Sequence, residues 1–144
     1  MTGKLNFRAF LRDTRGAALV EFAILAPIIF ALMFGVLQVG FHMFAYNAVR
    51  SVASDTARYT IVEYQKDDPV TTTQIENQAE AYAVNAPYEL DGANLTATAT
   101  KPVTDIAGTT KFMLTLTYVP ANMLGFFNIG SPTITVTRPI YVAA

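Results

Sequence analysis

A long apolar stretch near the N-terminus, from Ala17 to Tyr46, constrains this chain more than any other feature. In these thirty residues the only strongly polar side chains are Glu21, Gln38 and His42. As an α-helix rising about 1.5 Å per residue, the stretch exceeds the roughly 30 Å thickness of the hydrocarbon core of a bilayer. The sequence therefore predicts a membrane-spanning helix over residues 17–46.

Charged residues flank this helix unequally. Residues 1–16 hold four basic side chains and one acidic side chain: Lys4, Arg8, Arg12, Arg15 and Asp13. Mixed charges follow the helix, and positive charge near a span favours the cytoplasmic side. We therefore expect a single-pass protein with a basic cytoplasmic leader over 1–16 and an extracytoplasmic domain over 47–144.

The remaining composition argues against several classes of activity. A net charge of −1 leaves no large basic surface to neutralise nucleic-acid phosphates. The absence of Cys excludes disulfides, thiolate metal sites and cysteine nucleophiles, and the single histidine, His42, cannot form a metal site alone. Asp67, Asp68 and Asp105 lack the spacing of a calcium loop, and no phosphate-binding loop or nucleophile motif occurs. We expect a non-enzymatic protein with no cofactor, no metal and no nucleic-acid partner.

The apolar helix begins within a short motif, Arg15-Gly16-Ala17-Ala18-Leu19-Val20-Glu21-Phe22. A secretory signal has an apolar region of only about 7 to 15 residues before its cleavage site, so the longer run here fits that pattern poorly. The motif resembles the processing site of prepilins, which a membrane aspartic peptidase cuts after the glycine. By this resemblance Gly16 ends the leader and Ala17 begins the mature chain.

Counted from Ala17, Glu21 is the fifth residue and Phe22 the sixth, which is the arrangement of the Flp and Tad pilus family. Residues 15–60 resemble the TadE-like pseudopilins of that family. The resemblance implies a minor pilin of the bacterial inner membrane with a periplasmic domain. Such a protein would serve the assembly or priming of a Tad (Flp) pilus, and it would either stay in the envelope or enter the filament. Its implied partners are the prepilin peptidase, other pilins and pseudopilins, the pilus assembly platform and membrane lipid. Major Flp pilins are usually much shorter, which favours the minor class.

Glu21 places a carboxylate near the start of a membrane helix, where a central charge costs about 2.5 to 3.5 kcal/mol on insertion scales. Cleavage after Gly16 would create a positive α-amino group on Ala17, one helical turn away or on a neighbouring subunit. Pairing would neutralise both charges and fix the axial register between subunits. The alternative is a carboxylate solvated in the headgroup layer, and the processing motif favours pairing.

Small or narrow residues recur every four positions along the same helix: Ala23, Pro27, Ala31 and Gly35. Such a stripe permits close approach of a second helix, although the spacing also arises by chance in Ala-rich helices. Pro27 is expected to bend or loosen the helix locally, because its ring removes one backbone hydrogen bond.

Beyond Tyr46 the helix is predicted to continue as an amphipathic stalk, because apolar residues recur there at helical spacing. The stripe comprises Ala45, Ala48, Val52, Thr56 and Tyr59. The segment Asp67-Asp68-Pro69 predicts a break. Thr73 and Glu76 fit a capping box for a shorter second helix that ends near Ala86.

Three later segments alternate with period two and predict an antiparallel sheet. Their apolar positions are Leu95, Ala97 and Ala99, then Phe112, Leu114, Leu116 and Tyr118, and finally Ile134 and Val136. Pro139 predicts that the last strand lies at an edge or ends there. The fold class is therefore α+β, with a long helix, a short second helix and a three-stranded antiparallel sheet packed on the long helix.

The segment 120–130, between the second and third strands, is rich in large apolar side chains: Met123, Leu124, Phe126 and Phe127. We expect this loop to fold over the core of its own domain, whereas an exposed patch would mark a partner or membrane contact. An alternative function uses that patch: an uncleaved, signal-anchored envelope protein that holds a partner with its outer sheet and this loop.

Overall fold

The computed structural model describes residues 14–66, 69–104 and 106–143, with only the backbone given at residues 14, 15 and 127. The predictions made for the leader charges and for Asp67, Asp68 and Asp105 lie outside the described residues. Contacts divide the chain into a unit that ends at Leu37 and a unit that begins at Gln38, called here the α+β unit.

Helix α1 (Thr14–Gln65) is a single α-helix of 52 residues that continues through Pro27. Up to Leu37 most of its large apolar side chains are exposed, as with Phe22 at 65% and Ile24 at 64%, while Phe34 is half-buried. The helix is long and apolar enough to cross a membrane. Because water disfavours so large an apolar surface, this part of α1 requires lipid or other apolar helices around it.

In the α+β unit, α1 buries the predicted stripe. Ala45, Ala48, Val52 and Thr56 are buried and Tyr59 is half-buried, so the predicted amphipathic stalk is confirmed. Two buried hydroxyls are satisfied within the helix itself: Thr56 Oγ1 donates to the carbonyl of Val52 at 2.8 Å, and Thr60 Oγ1 donates to that of Thr56 at 2.9 Å. This back-bonding allows polar residues to lie in the core without an unpaired group.

Helix α2 (Thr72–Val84) forms as predicted, but its cap differs from the predicted one. The N-cap is Thr71, whose side chain and backbone exchange hydrogen bonds with Gln74 in a capping box. Glu76 is not part of the cap, because its carboxylate accepts the backbone N–H of Ala99 at 2.7 Å. The helix ends at Val84 rather than near Ala86.

The sheet contains β1 (Leu95–Thr100), β2 (Thr109–Tyr118) and β3 (Ile134–Ala143), antiparallel and in the order β1-β2-β3. The alternating apolar residues of β1 and β2 are buried, and Ile134 and half-buried Val136 continue the same face on β3. Pro139 lies inside the edge strand β3 and does not end it. These residues form one core with α1 and α2, which confirms the predicted α+β fold.

Candidate membrane and assembly sites

The predicted processing site lies in the first turns of α1. Gly16, Ala17, Glu21 and Phe22 are all exposed. Ala17 and Glu21 are four residues apart, which places them on one helix face about 6 Å apart along the axis. In the uncut chain the nitrogen of Ala17 belongs to a neutral peptide bond, so a charge pair with Glu21 depends on cleavage.

The stripe of small residues lies in the unit that ends at Leu37. Ala23 and Pro27 are exposed, while Ala31 and Gly35 are partly covered. A Cβ atom built on Gly35 would meet nothing within 4 Å, so space for a neighbouring helix exists at that position. Packing of a second helix on this stripe stays a prediction.

Gln38 is the first residue of the α+β unit and joins α1 to the loop between β2 and β3. Its side chain is buried. Gln38 Nε2 donates to the carbonyl of Ala121 at 3.1 Å, and Gln38 Oε1 accepts the backbone N–H of Met123 at 2.8 Å. One amide thus satisfies a donor and an acceptor on the loop, in the manner of a backbone pairing. The loop is held against α1 at this point.

Asn122 gives the same loop its shape. Asn122 Oδ1 accepts the backbone N–H of Leu124 at 3.0 Å, and Asn122 Nδ2 donates to the carbonyl of Ile129 at 2.8 Å. A 3-10 turn over Gly125–Phe127 follows, and Asn128 completes it in the left-handed region at φ 58°. These contacts hold both ends of the turn together across the loop.

The apolar side chains of this loop are only partly buried. Met123 and Leu124 are half-buried, whereas Phe126 is 66% exposed and Ile129 is 51% exposed. The expectation that the loop folds entirely over its own core is therefore wrong for its tip. The side chain of Phe127 lies outside the described residues.

A second polar contact joins α1 to the segment after α2. The hydroxyl of Tyr88 donates to Asp55 Oδ2 at 2.7 Å. The hydrogen bond to Asp55, aided by desolvation and by the negative charge of that carboxylate, raises the pKa of Tyr88 above its ordinary value. The folded state therefore binds the phenolic proton more tightly than the unfolded state.

For Tyr88→Phe we expect a fall in melting temperature of several degrees at neutral pH, because one hydrogen bond worth about 1 kcal/mol is lost. Since the pKa of Tyr88 is raised on folding, its contribution is complete below about pH 10 and is lost as pH rises through the higher folded value. The difference between the two proteins should therefore shrink in alkaline buffer. Thermal melts across pH 7 to 11 measure it.

The control for this test is Tyr141→Phe, on the exposed face of β3. An exposed substitution of this kind should change stability by less than about 0.5 kcal/mol. A gap between wild type and Tyr88→Phe that persisted undiminished up to pH 11 would contradict the role given to the Asp55 hydrogen bond.

A long exposed apolar helix that continues into a small α+β unit supports a membrane-anchored protein. Residues 16–58 match the family model for TadE-like protein, which confirms the predicted resemblance. The match covers less than half of the chain and suggests a structural, Tad pilus-associated protein that interacts with other pilus components. Neither the curated proteins nor the solved structures gave a match.

Sequence reasoning missed the roles of Gln38 and Asn122. Gln38 was visible as an isolated amide in an apolar run, and such a residue usually has a specific partner. Its partner is 83 residues away in sequence, at Ala121, so spacing alone could not identify it. Asn122 lies in a segment without a regular pattern of apolar residues, so no pattern predicted a role for it.

Proposed function

We propose that this chain is a minor pilin of a Tad (Flp) pilus, cut between Gly16 and Ala17 by a prepilin peptidase. In this proposal the mature protein spans the bacterial inner membrane with its N-terminus cytoplasmic and the α+β unit in the periplasm. It assists the assembly or priming of the pilus through its apolar helix. The observation that carries the proposal is that the TadE-like match begins at Gly16 and continues through the exposed apolar part of α1.

The charges of the helix support this mechanism. Glu21 is the only charged side chain between Ala17 and Val49. Cleavage would add a positive α-amino group on Ala17, and the two opposite charges could then pair within a subunit or between neighbours. Pairing between neighbours sets the axial register, because a slip by one turn leaves both charges unpaired in an apolar environment.

The first test is the mass of the N-terminus in the native host. We expect the protein purified from piliated cells to begin at Ala17. For Gly16→Ala we expect the uncut precursor to become the main form, because the added methyl group would lie beside the scissile bond. A Cβ at Gly16 meets nothing within 4 Å in the chain itself, so a processing defect would reflect peptidase recognition rather than misfolding.

Gly40→Ala is the matched control, since a Cβ there also meets nothing within 4 Å and the residue lies far along α1 from the cleavage site. Its processing should equal that of wild type. An intact leader on wild-type protein in peptidase-competent cells would contradict the proposal. So would unchanged processing of Gly16→Ala.

The exposed tip of the β2–β3 loop favours a second candidate function. Phe126 and Ile129 present apolar surface that could hold an envelope partner if the chain kept its leader as an uncleaved signal anchor. The same mass measurement separates the two candidates, because only the second retains residues 1–16.

A further inference from the structure

The β2–β3 loop combines apolar exposure with a complete lack of charge. Between Lys111 and Arg138 the sequence contains no Asp, Glu, Lys, Arg or His. At the centre of this segment Phe126 and Ile129 are more than half exposed. Apolar side chains without nearby charges can enter the boundary of a bilayer at low cost, whereas in water the same surface is unfavourable.

The attachment of the loop fixes its depth relative to the membrane. Ala17 to Leu37 is 21 residues of helix, about 31 Å long, which matches the roughly 30 Å hydrocarbon core. Gln38 follows directly and would lie where hydrocarbon gives way to headgroups. Since Gln38 is hydrogen-bonded to Ala121 and Met123, the loop must lie at that boundary too.

The next turns of α1 have a composition typical of the headgroup layer. Phe41, Phe44 and Tyr46 are exposed on the helix just beyond Gln38. Aromatic residues favour the headgroup region of membranes, and Phe41 and Phe44 follow Gln38 within two turns of the helix. The part of α1 to which the loop is attached therefore has a composition typical of the membrane boundary.

We propose that the tip of the β2–β3 loop, residues 124–129, is a membrane-docking foot that inserts Phe126 and Ile129 into the adjacent phospholipid leaflet. Gln38 attaches the loop to α1, and Asn122 gives it a fixed shape. With two points of attachment, the helix and the foot, the α+β unit would be held against the membrane surface. This inference rests on the proposed membrane span of α1.

The sequence contains no Trp, so Phe126→Trp introduces a single fluorophore at the tip of the foot. The full-length variant would be reconstituted into phosphatidylcholine–phosphatidylglycerol vesicles that contain phospholipids brominated at defined acyl positions. We expect blue-shifted emission and strong quenching by bromines near the headgroup. Because Phe126 is exposed, the larger ring should not disturb folding, which circular dichroism checks.

Two further tryptophan variants make the result specific. Val103→Trp lies in the β1–β2 loop, at the opposite end of the sheet, where Val103 is 94% exposed, and it should emit as in water without quenching. Phe30→Trp lies in the apolar span and should be quenched by deep bromines.

Each negative outcome has a separate meaning. Quenching of F30W without quenching of F126W would overturn the foot and leave the anchor intact. A blue shift of F126W without quenching by any brominated lipid would indicate cover by protein and also overturn the foot. Equal quenching of F126W and V103W would show general adsorption of the unit, which again contradicts a specific foot. Failure of F30W to be quenched would overturn the membrane span itself, and the foot with it.

Discussion

Phe112→Ala is expected to lower the free energy of unfolding of the α+β unit by about 3 to 5 kcal/mol. Phe112 is 1% exposed on β2, and its ring meets that of Tyr64 edge-on, with centroids 5.7 Å apart. The contact joins the centre of the sheet to the last turns of α1. Truncation would leave a cavity between two rigid elements that cannot both move to fill it.

Such a loss is a large share of the 5 to 15 kcal/mol that stabilises an ordinary domain, and corresponds to a fall in melting temperature of about 15 °C or more. Near-UV circular dichroism of the full chain in detergent would report it in the tyrosine band, because all seven tyrosines lie after Gln38. The apolar helix before Gln38 contains phenylalanine but no tyrosine, so the tyrosine band follows the α+β unit.

Met113→Ala is the matched control. Met113 neighbours Phe112 on β2, but its side chain lies on the opposite face of the sheet and is only half-buried. We expect a loss of about 1 kcal/mol or less there. Equal losses for the two variants would contradict the assignment of the buried face, and with it the packing of the sheet on α1.

The elements that were predicted well from the sequence are those whose apolar residues repeat with a regular period. The alternation in β2 has apolar residues at 112, 114, 116 and 118 and no competing pattern, so both the strand and its buried face were predicted correctly. The stripe of α1 was similarly clear, because Ala45, Ala48 and Val52 repeat at helical spacing over several turns. In both cases many residues support the same answer.

The cap of α2 shows why local signals are weaker. Three consecutive threonines, Thr71 to Thr73, lie where the helix begins, so both Thr71 with Gln74 and Thr73 with Glu76 satisfy the capping-box spacing. Contact with β1 decides which of the two capping boxes forms, because the carboxylate of Glu76 accepts the N–H of Ala99 at the sheet edge. An unpaired edge N–H of this kind is costly when water is excluded, and only the tertiary structure shows that it needs Glu76.

The loop between β2 and β3 was the least predictable part of the candidate sites. Its composition indicated burial, but Gln38 and Asn122 hold the loop backbone in a conformation that leaves Phe126 66% exposed. No period connects residues 38 and 122 in the sequence. The motif at Gly16, in contrast, is a linear segment whose prediction depends on no tertiary contact, and cleavage there stays a prediction.

Glu21→Leu is expected to leave membrane insertion and cleavage normal but to reduce piliation strongly. The substitution removes the only charge in the apolar part of α1, so the helix enters lipid at least as readily as in wild type. After cleavage, however, the α-amino group of Ala17 has no carboxylate to pair with. If that charge must then be buried alone at a cost of about 2.5 to 3.5 kcal/mol, the assembly equilibrium falls by roughly a hundredfold.

Pili counted per cell by electron microscopy, together with the N-terminal mass of the variant, separate the two steps. Glu80→Leu serves as the control, because it removes an exposed carboxylate from α2, outside the span. Glu21→Gln tests the charge itself, since an amide keeps the size and hydrogen-bonding capacity of the side chain but cannot neutralise an ammonium group. We expect it to resemble Glu21→Leu. Full piliation in both Glu21 variants would show that the carboxylate is merely solvated among the headgroups, and that helix packing alone sets the register of the subunits.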